Sequence, residues 1–122
     1  MLNGKTVLVI EEEFLIALDI QRVLETLGAG QTLFARTVQE ADAIAAQGTD
    51  IGLAIVEVRA GPAPSLELTH ALVKSKVAVV LSTADVSLRR GLPQLPDIPV
   101  VLKPMAEDDL VAAIGLALAA RP

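Results

Sequence analysis

The sequence predicts an α/β fold: a doubly wound, five-stranded parallel sheet of (βα)5 order with helices on both faces. Three observations predict it. Short apolar runs alternate along the chain with stretches of helical period. Several of the runs carry no polar alternation, as expected of strands covered on both sides. Hydrophobic residues make up 52% of the chain, and they are Ala, Val, Leu and Ile, with two Phe and no Tyr or Trp. The length, 122 residues, fits a single domain spanning 1–122. A chain of this size buries a real core without disulfides or a structural metal.

The elements follow in order. "TVLVI" (6–10) is short, β-branched and bounded by Gly4 and a run of acids, so it is a strand. Over 13–27, Ile16, Ile20, Val23, Leu24 and Leu27 form one helical face, and Gly28 is the stop. "QTLFA" (31–35) is a second, weaker strand. Thr37 reads as an N-cap with Glu40 completing a capping box, and that helix runs to Gly48. "IGLAIV" (51–56) is apolar throughout and belongs in the middle of the sheet. A loop, "RAGPAPS", leads into the helix "LELTHALVKS". "VAVVLS" (77–82) is the fourth strand. After it, "TADVSLRRG" offers a short helix at best, and Pro93, Pro96 and Pro99 oppose a regular one. "VVL" (100–102) is the fifth strand, and the last helix covers 106–120 with Leu110, Ile114, Ala117 and Leu118 on one side.

Charge and composition narrow the function. The net charge is −5, from 15 acids and 10 bases, which disfavours a nucleic-acid partner because phosphate binding needs a basic face. There is no cysteine, so thiol chemistry and thiolate metal sites are excluded. The longest apolar run, Leu110 to Ala120, is shorter than the about 20 residues a bilayer-spanning helix needs. No signal-peptide pattern opens the chain, and a soluble cytoplasmic protein is the expectation. The glycine-rich patterns that cradle nucleotide phosphates are absent. His70, the sole histidine, reads as an ordinary helix residue.

In folds of this kind the working site lies off the carboxyl ends of the strands. There the first strand delivers Glu11, Glu12 and Glu13, the third Glu57, the fourth Ser82 and Thr83, and the fifth Lys103. Carboxylates suit a hard cation such as Mg²⁺. A hydroxyl and an ammonium beside them suit a phosphoryl group. The plainer readings are that the acids favour a helix N-terminus, that Glu57 is a structural partner for Lys103, and that Thr83 is an N-cap. Phe14, Leu15 and Leu18 lie off the main face of the first helix and read as a partner patch or as plain apolar surface.

Four segments carry a family resemblance: "VLVIEEE", "LAIVEV", "VVLSTA" and "VVLKP". In this order, at these strand ends, they make the sequence resemble the receiver domain of two-component response regulators, a flavodoxin-like fold. The resemblance covers about residues 5–120. It implies that Glu11 and Glu12 stand at the acidic metal-pocket positions and Glu57 at the phosphoacceptor position. Thr83 and Lys103 then stand where the phosphoryl group is contacted. Lys103-Pro104 matches a pair that is often a cis peptide in the family.

Departures from the family pattern bear on function. The acceptor position holds Glu57 rather than Asp, which moves the carboxylate outward by about 1.5 Å. Misplacement of that size can cost phosphoryl transfer about a hundredfold. Glu12 stands where Asp is usual. Arg59, two residues past the acceptor, is a candidate stand-in for the metal through a guanidinium–carboxylate pair, or else points to solvent. Val100 occupies the position of the family's switch aromatic, and its stiff side chain cannot perform that change.

The implied function is that of a stand-alone, atypical receiver. It acts by protein–protein interaction in two-component phosphorelay signal transduction, independently of phosphorylation, and is not an enzyme. The implied partners are a sensor histidine kinase, a phosphotransfer protein or another signalling protein. The final helix and fifth strand offer a surface for a homodimer. One alternative keeps phosphorylation on Glu57, with Mg²⁺ at Glu11, Glu12 and Glu57. A second is a small-ligand-binding flavodoxin-like module, against which the scarcity of aromatics argues.

Overall fold

A computed structural model describes residues 1–59 and 64–120. Its elements are β1 (Thr6–Ile10), α1 (Phe14–Thr26), β2 (Gln31–Ala35), α2 (Val38–Ala45) and β3 (Ile51–Glu57). There follow α3 (Pro64–Lys74), β4 (Ala78–Thr83), a 3₁₀ turn (Val86–Leu88), β5 (Val100–Leu102) and α4 (Glu107–Ala120). The five strands form one sheet in the order β2-β1-β3-β4-β5, every neighbouring pair parallel. The central place of β3 follows from its sequence. Ile51 to Val56 are all buried, and only a strand with helices on both faces can hide such a run. The expected loop 59–65 lies outside the described residues at 60–63.

Alternation along the strands divides the core into two layers. Val7, Val9, Leu53, Ile55, Val80 and Val101 pack with Ile20, Val23 and Leu24 of α1 and with Leu110, Ile114 and Ala117 of α4. On the other face Leu8, Ala54, Val56, Val79 and Leu81 pack with Ala41 of α2 and with Leu68 and Leu72 of α3. At about 25 cal/mol per Å² of apolar surface removed from water, these layers supply the main drive for folding.

Helix ends show the local rules at work. At the end of α1 the Gly28 N–H donates to the Glu25 carbonyl and the Ala29 N–H to the Leu24 carbonyl, with Gly28 at φ +89°. That is the Schellman arrangement, which favours glycine at the left-handed position. At the start of α2 the Thr37 hydroxyl accepts from the Glu40 N–H at 3.1 Å. The Glu40 carboxylate reaches back one residue beyond the usual box and accepts from the Arg36 N–H.

The connection between β4 and β5 contains no α-helix. Apart from the 3₁₀ turn at Val86–Leu88 it is irregular, as its three prolines require. It still covers the sheet, because Leu88, Leu92 and Leu95 are buried in the second layer. Leu92 and Leu95 form an isolated antiparallel bridge, and Gly91 takes φ +104° to turn the chain there.

Candidate functional site

Four strand ends build the site. The strand β1 ends at Ile10, and the Glu11 N–H continues its ladder by donating to the Ala35 carbonyl. Glu57 is the last residue of β3 and pairs in register with Ser82. Beyond β5 the Lys103 N–H donates to the Thr83 carbonyl at 2.8 Å, so Lys103 is held as if the strand continued. The Lys103-Pro104 peptide is cis.

These anchors bring Lys103 between two acids. Its ammonium donates to Glu57 Oε2 at 2.5 Å and to Glu11 Oε2 at 3.0 Å, with Glu13 Oε1 at 3.8 Å. The Lys103 side chain is 6% exposed and that of Glu11 is fully enclosed. A buried ion pair of this kind depends on further hydrogen bonds to offset desolvation. Glu11 Oε2 gains one from the Glu13 N–H at 3.0 Å. Burial by itself would lower the pKa of Lys103. Hydrogen bonds from its ammonium to Glu57 and Glu11, with the charges of both acids, outweigh it, and the pKa is raised above 10.5.

Arg59 is placed between the two roles open to it. Its guanidinium donates to Glu12 Oε1 at 2.6 Å, yet its side chain stays 72% exposed. The contact uses one nitrogen and one oxygen, and the ion pairs of Glu11 and Glu57 are to Lys103 instead. A long contact of 3.5 Å runs from the Glu12 N–H to Glu57 Oε1.

Thr83 is buried, and its hydroxyl accepts from the Asp85 N–H at 3.1 Å, which makes it a turn-forming group at the rim of the pocket. Val100 packs with the layer beneath α2 and α3. Glu13 and Asp85 also line the pocket; Glu13 stands at the strand end expected to face it, without a role assigned to it there, and Asp85 was not singled out in the sequence. The acid run shows where Glu13 would fall. Asp85 accepts from the Ser87 hydroxyl and N–H, and these bonds hold its pKa below 3.8. The "DVS" spacing is the signal for that turn.

The acids do not fit a divalent cation as they stand. Lys103 takes an oxygen from each of Glu11 and Glu57, and Arg59 takes one from Glu12. Among the described residues no group of three acids is placed to hold a metal. The Mg²⁺ site expected at Glu11, Glu12 and Glu57 is therefore not formed by this arrangement.

A parallel 2-1-3-4-5 sheet with acids at β1 and β3, a hydroxyl at β4 and a lysine after β5 is the plan of response-regulator receiver domains, and solved receivers share this fold. One is a response regulator receiver protein from Sinorhizobium medicae WSM419, 20% identical, with each chain covered in full and a TM-score of 0.80. Another is the BeF3-activated conformation of SdrG from Pseudomonas melonis Fr1, 28% identical over 97% of this chain and 99% of that one, with a TM-score of 0.73. The PhyR stress response regulator is 30% identical over 98% of this chain, with a TM-score of 0.78, and this chain spans 46% of its length. No family model and no curated protein matches the chain.

Proposed function

We propose that the chain is a receiver-type signalling module that works through protein–protein contacts in a two-component pathway without phosphorylation of Glu57. The observation that carries this reading is the Lys103 ammonium held by both Glu57 and Glu11. The acceptor carboxylate is already neutralised, and the pocket has its own cation where a metal would be needed. Arg59 pairs with Glu12 at the exposed edge of the same site. The chain's resemblance to solved receivers of response regulators supports the signalling role.

On this reading the module is not an enzyme and its place is the cytoplasm. Its partner is a sensor histidine kinase, a phosphotransfer protein or another protein of such a pathway. Among the described residues no helix is long and apolar enough to cross a membrane.

The test is a pull-down against a panel of sensor kinases and phosphotransfer proteins, with and without Mg²⁺ and a small acyl phosphate. Binding of equal strength under both conditions is the expected result. A partner bound only in the presence of the phosphodonor would overturn the reading.

A further inference from the structure

The two edges of the sheet are protected unequally. The strand β5 is three residues long, with Pro99 before it and Pro104 soon after. Short strands and prolines are the usual means of keeping a sheet edge from pairing. The opposite edge, β2, is five residues long, Gln31–Ala35, and carries neither proline nor charge. Gln31 and Phe34 are exposed, and Thr32 and Leu33 are half-buried. The Ala35 carbonyl accepts from the Glu11 N–H, so Ala35 turns its backbone inward to β1. Alternation along the strand then aims the N–H and C=O groups of Thr32 and Phe34 outward. Among the described residues these outward groups have no partner.

This edge is self-complementary, because Thr32 and Phe34 stand on either side of Leu33. With Leu33 on a two-fold axis, a second β2 running antiparallel sets Thr32 of one copy opposite Phe34 of the other, and each pair exchanges both hydrogen bonds. Leu33 and Ala35 pack in the layer beneath α2, so the side chains of Thr32, Phe34 and Arg36 take the face of α1. On that face Phe14, Leu18 and Phe34 line one groove, and Phe14, Leu18, Gln21 and Glu25 follow one another at helical spacing. The charges also match. The helix α1 ends at Thr26, just before β2 begins, so the two run in opposite directions. The antiparallel pairing therefore carries Arg36 of one copy to Gly30 of the other, beside the carbonyl end of α1 and Glu25. Among the described residues neither Arg36 nor Glu25 has an ion pair of its own.

We propose that β2 is a dimer edge: two copies of the chain join antiparallel through β2 into one continuous sheet, and the second copy covers Phe34, Phe14 and Leu18. This surface is distinct from the final helix and fifth strand, and it does not depend on the signalling role proposed above.

Sedimentation equilibrium over a concentration series gives the association state, and amide hydrogen exchange locates the contact. The expected result is a concentration-dependent dimer in which the Thr32 and Phe34 amides gain protection as it forms. Phe34→Lys changes an exposed residue and puts charge on the edge, so it should weaken the dimer at least tenfold and keep the fold of the monomer. Thr32→Pro removes an outward N–H and no bond to β1, and should act in the same way. Arg36→Glu should also weaken the dimer, and adding Glu25→Arg should restore it. Leu116→Lys, an exposed change on α4, should leave the dimer intact. A monomer at every concentration, a dimer whose Thr32 and Phe34 amides stay unprotected, or a dimer lost in Leu116→Lys but kept in Phe34→Lys would overturn the proposal.

Discussion

The Lys103 ammonium lies 2.5 Å from the Glu57 carboxylate, in a setting where the lysine side chain is 6% exposed. The pair joins the ends of β3 and β5 across the intervening β4. With Glu11 as a second acceptor, it ties three strand ends together. The consequences for stability and for chemistry differ, and each can be measured.

Replacing Lys103 by Met keeps the apolar stem and removes the charge. Glu11 is then a buried carboxylate without its cation. Breaking a buried pair in this way costs about 3–5 kcal/mol. Urea unfolding should show a loss of this size for K103M, with part of it recovered in the double variant K103M/E11Q. A loss under 1 kcal/mol would mean that the cluster is solvated and the pair weak.

The same pair sets a pH dependence. The Lys103 pKa is raised in the fold, so its contribution is complete below the unfolded value of 10.5 and is lost as pH rises through the folded value. The stability gap between wild type and K103M should stay level from neutral pH to about 10.5. Above that it should close. A gap that closed on the acid side of neutrality first would point to the carboxylates as the controlling groups instead.

Arg59 gives the contrast. Its pair with Glu12 is short, but both side chains are at least half exposed. Such pairs contribute at most about 1 kcal/mol and weaken with salt. R59A should therefore change stability by less than that in urea unfolding, and the difference should fade at high ionic strength.

The irregular segment between β4 and β5 acts as a cover for the sheet, and Leu92 is its test. Leu92 is buried in the second core layer. L92A should cost about 2–5 kcal/mol, the range for a leucine lost from a core. A solvent loop would give a change within about 0.5 kcal/mol.

Much of this was legible in the sequence, for reasons that particular residues make plain. Ile51 to Val56 place β3 in the centre because they carry no polar alternation. Gly28 and Thr37 mark helix ends because each supplies what the backbone needs there. The convergence of Glu11, Glu57 and Lys103 follows from the rule that parallel strands present their carboxyl ends together. The Glu57–Lys103 pair stood among the readings of the sequence, but the full sharing of cations among the acids was not legible. That choice depends on side-chain reach across the sheet, and it gave Lys103 to Glu11 and Glu57 and left Arg59 with Glu12. The groove between α1 and β2 that Phe14 and Phe34 both line was not legible either, because the two residues belong to different elements.

The most direct test of a neutralised, unphosphorylated acceptor is intact-mass analysis after incubation with Mg²⁺ and a small acyl phosphate. The predicted result is an unchanged mass for the wild-type chain, with an Asp-bearing receiver as the positive control. A phosphoryl adduct that maps to Glu57 and disappears in Glu57→Gln would contradict it.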